Sequence, residues 1–308
     1  MRLEGIHHVT AITGNAPANV AFYTGVLGLR LVAKSVNQDD PTVYHLFYSD
    51  EVGSAGADIT FFEYPGAPPG RAGGGMVHRV VWRVASPAAI DFWEDRLSAL
   101  DDAHVIRAGD ALQFSDPEGL RHELVVSDRD GTLSARHPEI PAEHALRGFD
   151  GVRMYTLRPD HSARMLVELM GAAELGDGVF ELRGERRGGT IAFDPVPEKR
   201  GLQGGGTVHH VALGTTAEQH PEWERWLRAS GVQTSGIVDR HYFHSIYYRE
   251  PGGILYEIAD DAPGFTVDGT VEELGTKIIL PPWYEPQREQ IEAQLTPLPD
   301  PRAGWASA

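Results

Sequence analysis

The chain has 308 residues, a formal net charge of −17 and no cysteine. That length allows two domains, each large enough to bury its own core, while the acidic balance excludes the clustered Lys and Arg that nucleic acid demands. The lack of Cys excludes disulfides, thiolate metal sites and thiol nucleophiles. No apolar run approaches ~20 residues, so no membrane-spanning helix is expected. Met1-Arg2-Leu3-Glu4-Gly5-Ile6 runs into a strand pattern without the apolar centre of a secretory leader, and the expected compartment is the cytoplasm.

In chain order one unit recurs four times, and its order is β-α-β-β-β. Module 1 predicts a strand over 6–13, a helix over 17–27, a returning strand over 28–33, and strands over 42–48 and 58–64 across the turn 50–56. After the glycine-rich connector 66–75, module 2 predicts a strand over 76–84 and a helix entered at Ser86-Pro87, where Ser can cap and Pro suits the first turn. Its last strands fall near 111–114 and 123–126. The stretch 127–147, rich in Asp, Arg, His and Pro, reads as a domain boundary.

Module 3 follows with a strand over 151–157, a helix capped by Asp160 and ending at Gly171, and strands near 178–183 and 189–193. Module 4 has a strand over 208–213, a helix from Thr216 to the Gly231 stop, and strands around Val238, 244–249 and 254–259. A tail from Val271 carries Leu280-Pro281-Pro282-Trp283 and a short helix over 285–295. The expected fold is α+β, with four modules paired into two open barrels. The expected domains are 1–140 (modules 1 and 2), 141–270 (modules 3 and 4) and a tail, 271–308.

Two strands open on the same pair: Gly5-Ile6-His7-His8-Val9 and Thr207-Val208-His209-His210-Val211. Alternation along a strand sends one His of each pair into the cup and the other behind it. His8 and His210 therefore point inward, and His7 and His209 support them from behind. Module 4 also ends on Pro251-Gly252-Gly253-Ile254-Leu255-Tyr256-Glu257, while modules 2 and 3 offer Arg79 with Glu123, and Gly151 with Asp194, at the matching places. Two His and one carboxylate suit a divalent ion. In module 1 the matching acid is Glu63. His78 reads as structural, Glu123 as a remnant of the repeat that pairs with Arg79 or solvent, and His122, His161 and His220 as surface residues.

These features resemble the vicinal oxygen chelate superfamily of glyoxalases, antibiotic-resistance proteins and extradiol dioxygenases. Tyr44-His45-Leu46-Phe47-Tyr48, Glu143-His144-Ala145-Leu146-Arg147-Gly148-Phe149 and the Leu280-Pro281-Pro282-Trp283 tail extend the resemblance to its hydroquinone-type ring-cleaving dioxygenases. The resemblance implies Fe(II), less often Mn(II), held by His8, His210 and Glu257. It also implies that modules 1 and 4 share one site, and that the reaction opens a small aromatic ring with O2. Arg240, His241, His244 and Tyr247 are the candidate donors and proton carriers, with Tyr248 on the opposite strand face. A homo-oligomer is compatible with this reading. Two alternatives stay open: a glyoxalase-type lyase or isomerase using Ni(II) or Zn(II) with Glu63 as a fourth ligand, and a metal-free protein that binds an aromatic compound.

Overall fold

The computed structural model describes residues 1–303 and Trp305; residues 304 and 306–308 of the expected tail lie outside the described residues. Module 1 comprises β1 (Ile6–Thr13), helix α1 (Ala16–Val20), β2 (Arg30–Asn37), β3 (Asp40–Ser49) and β4 (Asp58–Glu63). Asn15 caps α1 by accepting from Ala18 N, and the helix runs on as a π-helical turn, Ala21–Val26. Module 2 comprises β5 (Met76–Val84), α2 (Pro87–Ser98), β6 (Ile106–Ala108), β7 (Ala111–Ser115) and β8 (Arg121–Val126). Ser86 caps α2 through Ala89 N, as its sequence predicts.

Module 3 has β9 (Phe149–Tyr155), α3 (Pro159–Arg164), β10 (Ala173–Gly176), β11 (Val179–Arg183) and β12 (Gly188–Phe193). The residue that caps α3 is Arg158, without a side-chain bond, and Asp160 lies inside the first turn. There a carboxylate favours the positive helix end without closing it. Module 4 has β13 (Thr207–Thr215), α4 (His220–Ala229), β14 (Thr234–Asp239), β15 (His244–Arg249) and β16 (Leu255–Asp260). The expected tail helix is shorter than its pattern: α5 spans Arg288–Glu292 after a single 3-10 turn. Among the described residues no helix is long and apolar enough to cross a membrane.

Among the described residues sixteen strands form two eight-stranded sheets, in the orders β14-β15-β16-β13-β1-β4-β3-β2 and β10-β11-β12-β9-β5-β8-β7-β6. Module 1 thus joins module 4, and module 2 joins module 3. Each sheet draws one module from residues 1–140 and one from residues 141–270. The central pairing decides this: β1 lies antiparallel to β13, and β5 antiparallel to β9. A 3.6-period or 2-period pattern specifies which face of a strand is buried, but not which distant strand covers its edge.

One apolar core runs through both sheets, with Tyr23, Phe61, Trp82, Trp93, Phe149 and Tyr256 fully buried within it. A polar relay also crosses between modules 1 and 2. Trp82 Nε1 donates to His122 Nδ1 at 3.1 Å, His122 Nε2 lies 3.0 Å from the Tyr23 hydroxyl, and Tyr23 donates to Asp116 Oδ2 at 3.0 Å. His122 is therefore a buried, satisfied core group and not a surface residue. His220 is likewise buried, with Nε2 3.0 Å from Ile258 O. Both rings found partners on other elements, which a local pattern does not encode.

Candidate metal centre

The first sheet brings its ligands together by register. His8 on β1 lies beside Ala212 on β13, Ala212 beside Glu257 on β16, and Glu257 beside Tyr247 on β15. His210 sits two residues before Ala212, and so on the same face. The Ala212 methyl is the smallest side chain in this row, and it leaves the space onto which His8, His210 and Glu257 converge. The register of β16 is set by Pro251-Gly252-Gly253, where Gly253 has φ +102° and a Cβ on Gly252 would lie 1.8 Å from Thr156 Oγ1.

His8 Nε2 lies 3.3 Å from His210 Nε2 and 3.3 Å from Glu257 Oε2, and His210 Nε2 lies 2.9 Å from the same oxygen. All three residues are buried, and among the described residues they alone form a cluster of metal-ligating type. Glu257 Oε1 accepts from the Ser245 hydroxyl, but Oε2 has no hydrogen-bond donor. A buried carboxylate oxygen without a donor is costly, and a cation resolves that cost.

The partners behind the site decide the tautomers. His7 Nε2 lies 3.0 Å from Asp260 O, and His7 Nδ1 lies 2.9 Å from His8 Nδ1. A carbonyl only accepts, so His7 carries its proton on Nε2 and its Nδ1 accepts from His8 Nδ1–H. The lone pair of His8 Nε2 is then free for a metal. His209 stands in the same relation to His210, Nδ1 to Nδ1 at 2.8 Å. Burial pushes the His7 imidazole down to about 3 and the His209 imidazole down to about 4, which keeps both neutral. Burial also lowers His210, whereas at His8 the Glu257 carboxylate outweighs burial and raises it. Burial alone would raise Glu257, but the His8 and His210 rings hold its carboxyl well below the usual range.

Above these ligands is a small cavity of about 40 Å³. Its walls come from opposite edges of the sheet order: Asn37, His45 and Phe47 on β2 and β3, and Arg240 and Tyr247 near β14 and β15. The first sheet is therefore rolled into a cup. Arg240 Nε donates to the Tyr247 hydroxyl at 3.1 Å, and burial pushes the Tyr247 phenol up.

His241 and His244 are not part of this cup. His241 Nε2 is 2.8 Å from Asp268 Oδ1, and His244 Nδ1 is 3.0 Å from Asp260 Oδ2. Tyr248 faces the core, as alternation requires. Sequence reasoning passed over Thr10, Thr60 and His45 as parts of the site. His45 Nε2 lies 3.0 Å from Thr60 Oγ1, which lies 2.8 Å from Thr10 Oγ1. The available signal was alternation: Phe47 and His45 share a face of β3, and Thr10 shares the face of His8.

Residues 5–124 match the model of the Glyoxalase/Bleomycin resistance protein/Dioxygenase superfamily. Over 97% of this chain and all of the relative, the sequence is 40% identical to "Putative ring-cleaving dioxygenase MhqA" of Bacillus subtilis. The chain belongs to this superfamily. It is also 31% identical to the chlorohydroquinone/hydroquinone 1,2-dioxygenase of Sphingobium indicum, over 94% of this chain and 95% of that one. A crystal structure of a "putative dioxygenase" from Bacillus subtilis superimposes with a TM-score of 0.90 at 39% identity, covering 96% of this chain and 98% of that one.

Among the described residues the matching places of the second sheet carry no such His-His-Glu cluster. In the second sheet Val81 pairs with Glu123 as Ala212 pairs with Glu257, so Arg79 takes the place of His210. Arg79 Nη1 donates to Glu123 Oε2 at 2.8 Å, and an ion pair fills the space that a metal would need. His78 is structural, 2.8 Å from Asp194 and stacked on Tyr155 at 3.8 Å.

In module 1 the acid's place is taken by Thr60, which pairs with Thr10, and not by Glu63. Glu63 lies three residues further on, facing the other way, and accepts from Ala16 N at 2.9 Å at the start of α1. A fourth carboxylate ligand from module 1 is thus absent among the described residues.

Proposed function

We propose that the protein is a ring-cleaving dioxygenase in which His8, His210 and Glu257 hold one Fe(II), and that it opens a hydroquinone- or catechol-type ring with O2. The observation that carries this reading is the convergence of buried Glu257 Oε2 with His8 Nε2 at 3.3 Å and His210 Nε2 at 2.9 Å, three atoms of metal-ligating type around one point. Two His and one carboxylate on one side of an ion is the donor set of non-haem iron oxygenases, and the same set accepts Mn(II). When bound, the ion supplies Lewis acidity toward a phenolic oxygen and a one-electron couple for dioxygen chemistry.

The chain's own groups supply the rest. Phe47, Phe62 and Phe243 make apolar walls that suit an aromatic ring. Tyr247 accepts from Arg240 Nε, so its own O–H is left to donate toward a ring oxygen. With its phenol pushed up by burial it keeps that proton at neutral pH. Arg240 places a permanent positive charge beside the oxygen atoms where negative charge gathers. His7, whose Nε2 proton goes to the Asp260 carbonyl, keeps His8 in the tautomer a metal needs, and His209 meets His210 in the same Nδ1–Nδ1 contact.

The glyoxalase-type alternative required Glu63, whose carboxylate is committed to α1. The test is anaerobic loading with Fe(II), followed by oxygen-electrode assays over a set of hydroquinones and catechols. The expected result is one O2 consumed per ring opened for at least one compound, and none in a folded His210→Ala variant. Iron-loaded protein that consumes no O2 with any of them overturns the proposal.

A further inference from the structure

The first sheet is rolled, but its two terminal strands, β14 and β2, are not joined to each other by backbone pairing. Side chains span the gap at the mouth of the cup. Gln38 Nε2, at the tip of the β2–β3 hairpin, donates to Arg240 O at 2.9 Å, and Arg240 Nη2 donates to Asp39 Oδ2 at 3.2 Å on the same tip. Beyond the hairpin, the Tyr284 hydroxyl of the tail donates to Gln38 O at 2.8 Å.

The tail is itself fastened to the hairpin. Ile279 N donates to Lys34 O at 2.8 Å, Lys34 Nζ to Leu298 O at 3.2 Å, and the Tyr44 hydroxyl to Thr296 O at 2.9 Å. On the far side the Arg240 loop has a fixed shape. His241 adopts φ +72°, its amide donates to Asp239 Oδ1 at 2.7 Å, and its ring meets Asp268. Hydrogen bonds therefore run without a break from Tyr284 through Gln38 to Arg240 and on to Tyr247.

We propose that Gln38 and Tyr284 are positioning residues, a clasp that joins the two edges of the rolled sheet, aims Arg240 and Tyr247 at the metal site, and parts to admit the ring compound. The proposal rests on the roles given to Arg240 and Tyr247 above. The size of the cup supports the parting. With the clasp shut the cavity is about 40 Å³, whereas a dry cavity known to take up benzene measures about 150 Å³. The hairpin tip and the 240–243 loop are the walls joined by side chains alone, so they can separate without breaking a strand ladder. Because a carbonyl only accepts, the Gln38 amide must donate, and an isosteric carboxylate would face Arg240 O with no proton to share.

Two variants test the clasp, Gln38→Glu and Tyr284→Phe. In the iron-free proteins, hydrogen–deuterium exchange should rise about three- to tenfold at the amides of residues 240–243, the effect of losing one hydrogen bond. Exchange in β1, β13 and β16 should stay at the wild-type rate. With iron and a hydroquinone that wild type consumes, kcat/KM should fall by a similar about three- to tenfold with KM raised, and the melting temperature should fall by no more than about 4 °C. Unchanged exchange at 240–243 in both variants overturns the clasp, and so does an equal rise across all strands, which marks general loosening. If wild type itself consumes no O2, the functional reading fails, while the exchange measurement still decides the clasp.

Discussion

A histidine can offer one ring nitrogen to a cation when its proton is held on the other, and behind His8 the group that holds it is a second histidine. His7 relays the Asp260 carbonyl to His8 Nδ1, so the proton arrangement at the ligand is decided two groups away. Replacing His7 by Ala leaves His8 free to place its proton on Nε2, the atom the metal needs. Fe(II) affinity, measured by competition with a chelator, should drop about 10- to 100-fold while His8 itself is intact. An unchanged affinity would show that the His7–His8 contact does not order the ring. The sequence shows both His-His pairs plainly, because strand alternation assigns inward and outward members without any tertiary knowledge. Glu63 shares its residue type with Glu257, but it leads into the turn Tyr64-Pro65-Gly66, and the register of β4 puts Thr60 beside Thr10 as Glu257 stands beside Ala212.

Among elements, the β15–β16 hairpin does most to build the site, for its turn sets which residue of β16 stands beside Ala212. A Gly252→Ala substitution would push a methyl onto Thr156 Oγ1, a contact 1.8 Å long with no room to relax toward β9. The turn must then shift, and Glu257 shifts with it. Fe(II) affinity and melting temperature should fall together, by at least about 1 kcal/mol in stability if backbone strain of this kind is not relieved. Loss of stability with full metal affinity would show that the turn does not set the register of Glu257. The Pro-Gly-Gly motif announces a turn in the sequence. Nothing in the motif shows that Thr156, from another module, occupies the space where a side chain would go.

For the whole molecule, stability should depend on pH through groups buried in their neutral forms. Burial lowers His78 and His209 to about 4, and His7 and His122 to about 3, from an ordinary value of 6.5. Below pH 6.5 the unfolded chain binds protons at these rings and the folded chain does not. Their stabilisation is therefore complete above 6.5 and is lost as pH falls toward 4 and below. Asp58 and Asp116, raised by burial to about 7 and about 6, act in the opposite sense. Their contribution is complete below 3.8 and is lost as pH rises through those values. Four imidazoles outweigh two carboxyls, so the urea midpoint of the metal-free protein should be lower at about pH 5 than at about pH 7. A flat or inverted dependence would mean that those rings are protonated in the folded state.

The repeating unit, most strand positions and the candidate trio His8, His210 and Glu257 were legible in the sequence alone. Each of these depends on spacing along a short segment: period-2 alternation, a Gly or Pro at a turn, a repeated His-His pair. Tertiary structure decided what joins to what. The pairing of β1 with β13 put modules 1 and 4 around the His8–His210–Glu257 cluster and left modules 2 and 3 with the Arg79–Glu123 pair. The burial of His122 and His220 and the reach of Tyr284 to Gln38 were decided in the same way. Such contacts join residues far apart in the chain, and an edge strand displays the same N–H and C=O groups to every possible neighbour. The choice among neighbours is made by the packing of the whole core, which no local stretch of residues contains.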